Sequence, residues 1–210
     1  MTQWDEICSE MNFSKEAVPL FETTPEQGVK TMLYGKKHPR KVLQRSAAME
    51  AQLNHIKGSI EQDYQSQANQ IEGLLYLMFW QCDSKIVPLY IGKAEKVGKT
   101  ADKLSDTITQ ASEFMRWGYD HDSHLGDLSA WVCAHAEKHK RPNYLRWAQC
   151  LFLDFPAEQP QLRYPTWFWA EIYPAPGLKG SLGTLKEAER SWIAAAAAFS
   201  PETLVNVQGR

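Results

Sequence analysis

Residues 73–94 of the chain read GLLYLMFWQCDSKIVPLYIGKA. The apolar runs 73–80 and 86–91 each have the length of a strand, and the mostly polar residues 81–85 separate them. Two such runs joined by a short gap predict a β-hairpin. Pro88 lies inside the second run and cannot donate a ladder hydrogen bond. We therefore expect it at a sheet edge or near the start of its strand.

Tyr76 and Tyr90 are the two tyrosines of this hairpin. An antiparallel turn centred on Asp83 would place them opposite each other, on one face of the sheet. Paired tyrosines are common as core packing, but Tyr90 also begins the triplet Tyr-Ile-Gly, which continues into Lys93. Upstream, residues 73–76 read Gly-Leu-Leu-Tyr. The hairpin therefore carries a short motif as well as a packing pattern.

These two halves resemble the GIY-YIG nuclease superfamily, and the resemblance extends over residues 73–206. The first half departs from the family pattern, because Gly73 lies one place early and the aligned triplet is Leu-Leu-Tyr. The tyrosine that the chemistry needs, Tyr76, is retained. The resemblance implies an α/β (α+β) fold with a small sheet of about three strands flanked by helices. It also implies that Tyr76 acts as general base or orients the attacking water and that Tyr90 helps to position it. The adjacent Lys93 would lower the tyrosine pKa or contact the phosphate.

A helix is expected over Leu185–Phe199, because Thr184 and Glu187 have the spacing of a capping box. Glu189 has no such explanation. It falls within the apolar stripe of this helix, where a carboxylate is costly without a cation or strong hydrogen bonds. The resemblance implies that Glu189 is the metal ligand. It also implies that Asn206, which follows two apolar residues, bridges and orients groups of the site.

The family further requires an arginine on a helix after the second tyrosine, and Arg116, within the aromatic stretch 114–119, is our candidate. A histidine shortly after the arginine takes part in the type II restriction-enzyme branch, which this chain resembles most. We select His121, and His124 stays open. Alternatives also stay open for the phosphate-binding cation (Lys96, Lys99 or Lys103) and for the buried acid (Glu171).

The rest of the chain divides into two expected parts. Residues 1–72 are expected to form a mostly helical N-terminal arm, and residues 73–210 a catalytic domain. Within the second part we expect helices at 102–115 and 127–139 and a third strand at 148–155. Residues 166–173 are expected to form a fourth strand or a buried helical turn.

The charge distribution points to the N-terminal arm as a contact for nucleic acid. The net charge of −2 gives no such indication by itself. Residues 27–49, however, contain no acid and six basic residues: Lys30, Lys36, Lys37, Arg40, Lys41 and Arg45. Such a stretch can neutralise phosphates. A solvated basic surface is the alternative.

Composition excludes several other classes. The four cysteines are scattered, which argues against a cysteine-based zinc site and a disulfide framework. No apolar run is long enough to cross a bilayer, and the N-terminal residues do not resemble a secretory signal. We therefore expect a cytoplasmic protein. The zinc-protease pattern fails at His135, Glu137 and His139, because the glutamate lies one place late.

The sequence thus predicts a divalent-metal-dependent endonuclease that hydrolyses phosphodiester bonds in nucleic acid, foremost duplex DNA, with Mg²⁺ or Mn²⁺ as cofactor. A sequence-specific restriction-type enzyme acting as a homodimer is the expected form. Repair, mobile-element and toxin nucleases share the same core and remain alternatives. A non-catalytic nucleic-acid-binding module that keeps the fold is a further alternative.

Overall fold

A computed structural model describes residues 2–35, 39–98, 103–105, 108, 124–134, 140–181 and 183–206. The described part includes two short helices near its start, and its last helix is followed by a turn at residues 201–203. In chain order the elements are α1 (Gln3–Met11), α2 (Phe13–Glu16), β1 (Val18–Pro19), β2 (Thr31–Tyr34), β3 (Arg40–Leu43), α3 (Ala47–Gln65), β4 (Ile71–Cys82), β5 (Lys85–Glu95), α4 (His124–Val132), α5 (Asn143–Leu151), β6 (Thr166–Pro174) and α6 (Leu185–Phe199).

The central sheet is antiparallel, with strand order β1-β6-β4-β5. The predicted hairpin is confirmed as β4 and β5, joined at Asp83 and Ser84. Pro88 lies on the edge strand β5, as expected, opposite Phe79 and next to a bulge in the ladder. The sheet has four strands rather than about three, because β1 pairs with the first residues of β6.

The two faces of this sheet pack against different helices. The face that carries Tyr76 and Tyr90, here called the tyrosine face, packs against α3, α4 and α5. The opposite face carries Leu75 and Leu77 and packs against α6 and α1; it is here called the helix face. Residues of the N-terminal segment enter both cores, so residues 1–72 share their packing with the rest of the chain.

The predicted strand at 148–155 is wrong. Residues 148–151 are the last residues of helix α5, and residues 152–155 follow the helix without forming one of the strands. The buried residues Trp147, Ala148 and Leu151 have helical spacing. A short apolar run does not by itself distinguish a strand from a buried helical turn. At 166–173 the strand alternative is confirmed by β6, and the helix predicted from residue 127 corresponds to α4. The predicted helix at 102–115 lies almost entirely outside the described residues.

The N-terminal segment is less helical than predicted. Residues 31–34 and 40–43 form the hairpin of β2 and β3, and residues 18–19 form β1. The amphipathic helix expected at 41–62 is present as α3, which begins after the N-cap Ser46. The stretch before Ser46 is extended because β3 pairs with β2, which no local pattern indicates. None of the helices in the described part of the chain is long and apolar enough to cross a membrane.

Candidate active site

Tyr90, Ile91, Gly92 and Lys93 form the centre of the candidate site and are here called the YIGK segment. Tyr76 and Tyr90 lie on the same face, but they are not directly opposite as the sequence predicted. Tyr76 pairs with Gly92, and Tyr90 pairs with Met78. The two tyrosine rings are therefore diagonal neighbours, 5.9 Å apart between centroids. The prediction of direct pairing fails because the turn takes up Asp83 and Ser84 and a bulge follows Met78.

The glycine of the YIGK segment has a steric role. A Cβ atom added to Gly92 would overlap the ring and hydroxyl of Tyr76. Glycine at this position therefore lets the Tyr76 side chain lie flat across β5, with its hydroxyl over the edge strand. Tyr76 itself is 2% exposed and packs 6.0 Å from Phe168, whereas Tyr90 is half-buried. Tyr90 is thus the more exposed of the two tyrosines.

Asn206 lies against the outer edge of the same segment. Its amide accepts a hydrogen bond from the Ile91 N–H at 3.0 Å and donates one to the Ile91 carbonyl at 2.8 Å. The neighbouring Val205 N–H donates to the Leu89 carbonyl at 2.7 Å. The chain after α6 therefore runs along β5 and satisfies backbone groups that an edge strand leaves unpaired.

Glu189 lies on the other side of the segment. It is half-buried on α6, and burial raises the pKa of its carboxyl group. The nearby charge of Lys93 lowers this pKa in part and Glu95 raises it further, while Arg190 and Lys186 have smaller lowering effects. Lys93 also forms an ion pair with Glu95, so its charge is shared between the two carboxylates. Glu189 is therefore a carboxylate with incomplete compensation, as its place in the apolar stripe predicted.

The predicted residues do not all lie on one face. Tyr76 and Tyr90 belong to the tyrosine face, while Glu189 and Lys93 belong to the helix side of the sheet. The two groups approach each other at the YIGK segment, because β5 is an edge strand and only the width of one backbone separates its faces. A ligand that contacted both groups would have to reach this edge beside the chain segment after α6, which already binds its backbone.

Other predicted residues have different surroundings. Glu171 lies on β6 opposite Leu75 and is exposed, although partial burial of its carboxylate and the nearby Glu16 raise its pKa. Lys103 is exposed. His124 is the first residue of α4. The segments that contain Arg116, His121 and Lys99 lie outside the described residues, so these predictions stay as they were.

Lys96 forms a buried ion pair that the sequence did not reveal. Its Nζ atom lies 2.7 Å from Oδ2 of Asp63 on α3, and both side chains are almost fully buried. Oδ1 of Asp63 accepts a hydrogen bond from the Gln70 N–H at 2.9 Å. Asp63 lies 33 residues before Lys96, and no local pattern marks it as a partner. Binding of phosphate by Lys96 would require this pair to open.

Several cations of the basic stretch have acidic partners. Lys30 lies 3.4 Å from Glu22, and Lys41 lies 2.8 Å from Glu158. Arg45 is 2% exposed and pairs with Glu50 at 2.7 Å. Arg40 belongs to β3, while Lys36 and Lys37 fall outside the described part.

The carboxylates near the YIGK segment are few. Among the residues that the structure describes, no group of three or more His, Cys, Asp or Glu side chains could hold a metal ion. Glu189 is the strongest candidate for a single protein ligand, and Glu95 is the nearby second acid. Mg²⁺ suits such a site, because it is commonly bound by one or two carboxylates with water and phosphate oxygens.

Comparisons of the chain with family models, curated proteins and solved structures gave no match. The resemblance to the GIY-YIG superfamily therefore rests on the residues of this chain alone.

Proposed function

We propose that this protein is a GIY-YIG type, divalent-metal-dependent endonuclease that hydrolyses phosphodiester bonds in DNA. One observation carries the proposal. Tyr76 lies against Gly92 and Asn206 binds the backbone of Ile91, while the charge of Lys93 acts on the Glu189 carboxylate, so three separate elements come together around the YIGK segment. The family motif predicts that these residues belong to one site.

The two tyrosines supply hydroxyl groups on one side of the edge strand. The resemblance gives Tyr76 the role of base or water-orienting group, but Tyr76 is 2% exposed and Tyr90 is half-buried. We therefore assign this role to Tyr90, with the Tyr76 ring packed beside it. A free tyrosine has a pKa of about 10, so a basic role depends on nearby positive charge. Asn206 fixes the strand by holding both backbone groups of Ile91.

Glu189 and Lys93 supply the charges on the other side. Glu189 would hold the divalent ion, whose positive charge would relieve the cost of burying this carboxylate. When bound, Mg²⁺ or Mn²⁺ supplies charge neutralisation at the phosphoryl oxygens. Lys93 would contact the phosphate as a point charge. Arg116 and His121 complete the proposed set as an always-charged phosphate ligand and a proton-transfer group.

The proposed substrate is duplex DNA. Cleavage of both strands of a duplex by a chain with one catalytic site favours a homodimer, as in a sequence-specific restriction-type enzyme. The basic residues proposed to contact the DNA backbone are Lys30, Lys36, Lys37, Arg40 and Lys41. The buried Arg45 is not one of them. For Lys30 and Lys41, phosphate would then replace a surface ion pair, which costs little.

The test is cleavage of duplex DNA of varied sequence with Mg²⁺ or Mn²⁺, with EDTA as the metal-free control. Glu189→Gln should reduce cleavage about a thousandfold or more, because the ligand of the metal is lost. Glu171→Gln is the matched control, since partial burial also raises the pKa of this carboxyl group. It should cleave like the wild type.

Two results would contradict this proposal. Cleavage that persists in Glu189→Gln and disappears in Glu171→Gln would instead assign the metal to Glu171 on β6. A folded wild-type protein that retards DNA in a gel but leaves it intact with either metal would favour the non-catalytic binding module.

A further inference from the structure

Gly73, the glycine that lies one place early in the family pattern, forms part of the contact between the sheet and helix α6. It pairs with Glu95 at the end of the β4–β5 ladder. A Cβ atom added to Gly73 would overlap the Ala94 carbonyl oxygen and would lie 2.8 Å from the Leu185 side chain. Glycine at this position therefore lets Leu185, the first residue of α6, pack directly against the two strands.

The preceding residue, Glu72, binds the same end of α6 through its side chain. Its carboxylate accepts a hydrogen bond from the Leu185 N–H at 2.8 Å. The first N–H groups of a helix have no partner within the helix, and the helix dipole favours a negative charge beside them. The Glu72 carbonyl also accepts a hydrogen bond from the Lys96 N–H at 2.8 Å. Glu72 thus connects the first turn of α6 to both strands of the hairpin.

Helix α6 has a cap of its own that does not involve Glu72. The Thr184 hydroxyl accepts a hydrogen bond from the Glu187 N–H at 3.2 Å, and the Glu187 carboxylate accepts one from the Thr184 N–H at 2.8 Å. These bonds close the first turn of the helix, but they do not join it to the sheet. The two sets of hydrogen bonds can therefore be removed separately.

The contact at Leu185 determines where Glu189 lies. The two residues are four apart on α6, so they share one face and are separated by about 6 Å along the helix axis. Glu95, the partner of Gly73, and Lys93 are two residues apart on β5, which is about 7 Å. Because these two steps are nearly equal, the position of Leu185 against Gly73 brings Glu189 towards Lys93, whose charge acts on it.

We infer that Glu72 is a positioning residue of the metal site, an inference that rests on the proposed function. Glu72 holds the first turn of α6 against β4 and thereby sets the place of Glu189 relative to the YIGK segment. It acts through the helix, one turn before the proposed ligand. Replacing a residue that orients a metal ligand without binding the metal commonly lowers the metal affinity about 10- to 100-fold.

The test is a Mn²⁺ titration of Glu72→Leu, in which binding is measured as loss of the electron paramagnetic resonance signal of free Mn²⁺. Leucine is similar in size but cannot accept the hydrogen bond from Leu185. The dissociation constant for Mn²⁺ should rise about tenfold. Glu72→Gln removes the charge but keeps an oxygen that can accept this hydrogen bond, so its dissociation constant should stay within about threefold of the wild type.

A second measurement needs no metal. Amide hydrogen exchange of the metal-free protein should show that the Leu185 N–H loses its protection in Glu72→Leu and keeps it in Glu72→Gln. This measurement reports whether the hydrogen bond between β4 and α6 has been removed in the variant whose Mn²⁺ affinity is compared.

Thr184→Ala is the matched control for a general weakening of the helix. It removes the hydroxyl that caps α6 and leaves the Glu72 carboxylate in place. Thr184→Ala should lower the midpoint of urea denaturation, because the loss of an N-cap destabilises a helix. Its dissociation constant for Mn²⁺, measured without urea, should nevertheless stay within about twofold of the wild type, since the attachment of α6 to the sheet is intact.

Three results would overturn the inference: unchanged Mn²⁺ affinity in Glu72→Leu, an equal loss of affinity in Thr184→Ala, or an equal loss in Glu72→Gln. Wild-type protein that binds no Mn²⁺ would contradict the proposed metal site, and the positioning role would fall with it. DNA cleavage by the wild type separates the two proposals. Mn²⁺ binding that depends on Glu72 without any cleavage contradicts only the endonuclease, and metal-dependent cleavage with an affinity indifferent to Glu72 contradicts only the positioning role.

Discussion

Two carboxylates packed on opposite sides of strand β5 have pKa values shifted in opposite directions. On the tyrosine face, burial acts to raise the pKa of Asp63, but the hydrogen bond and charge of Lys96 and the Gln70 N–H outweigh it and lower this pKa. On the helix face, burial raises the pKa of Glu189, and Lys93 offsets only part of the effect. The Asp63 carboxylate thus has Lys96 as its own cation, whereas Lys93, which acts on Glu189, also pairs with Glu95.

The two lysines of this comparison can be exchanged for methionine one at a time. Lys96→Met should lower the free energy of unfolding by about 3–5 kcal/mol, because it leaves the Asp63 carboxylate buried without its cation. Lys93→Met should lower it by only about 0–1 kcal/mol, since the Lys93–Glu95 pair is partly exposed. Urea denaturation measures both. Equal losses would mean that the two faces do not differ as described.

Replacement of Gly92 tests the packing of Tyr76 on the tyrosine face. Gly92→Ala should destabilise the protein by about 1–3 kcal/mol, because its methyl group would displace the Tyr76 ring from β5. Gly58→Ala is the control within α3, where no atom lies within 4 Å of the added Cβ. It should stabilise the protein by about 0.5–1 kcal/mol, as expected for alanine in an exposed helix. Denaturation curves that show a stable Gly92→Ala would contradict the packing of Tyr76.

The pH dependence of stability should have opposite signs for the two carboxylates. Asp63 has a lowered pKa, so its contribution is present above its ordinary value of 3.8 and is lost as pH falls through the folded-state pKa. Glu189 has a raised pKa, so its contribution is fully present below 4.5 and is lost as pH rises through the folded-state pKa. These are the smallest of the expected stability effects.

Two variants separate these contributions. Glu189→Gln should be slightly more stable than the wild type at neutral pH, and the difference should vanish on acidification. Asp63→Asn should be less stable at neutral pH, with a difference that shrinks on acidification. Thermal unfolding at a series of pH values provides the measurement. The same sign for both variants would remove the contrast between the faces.

The sequence predicted the parts of the fold that depend on local signals. The hairpin β4–β5, the capping box at Thr184 and the half-buried Glu189 on α6 all follow from residues near one another in the chain. Asn206 could be selected only through the family motif, and the structure adds its two hydrogen bonds to Ile91. Short-range pattern and motif together were sufficient for these elements.

What the sequence could not predict depends on distant partners. The apolar residues 147–151 form a helix rather than a strand, because their local pattern fits either structure. Asp63 gains its importance only from Lys96, and the basic residue Arg45 is buried against Glu50 rather than presented to solvent. The location of Glu189 and the tyrosines on different faces of β5 likewise depends on tertiary packing.

The most direct test of whether Glu189 holds the divalent ion is a Mn²⁺ titration. Binding is measured as loss of the electron paramagnetic resonance signal of free Mn²⁺. The wild type and Glu171→Gln should both reduce the free signal, and Glu189→Gln should not. Binding of Mn²⁺ that is undiminished in Glu189→Gln would contradict the assignment of this carboxylate as the metal ligand.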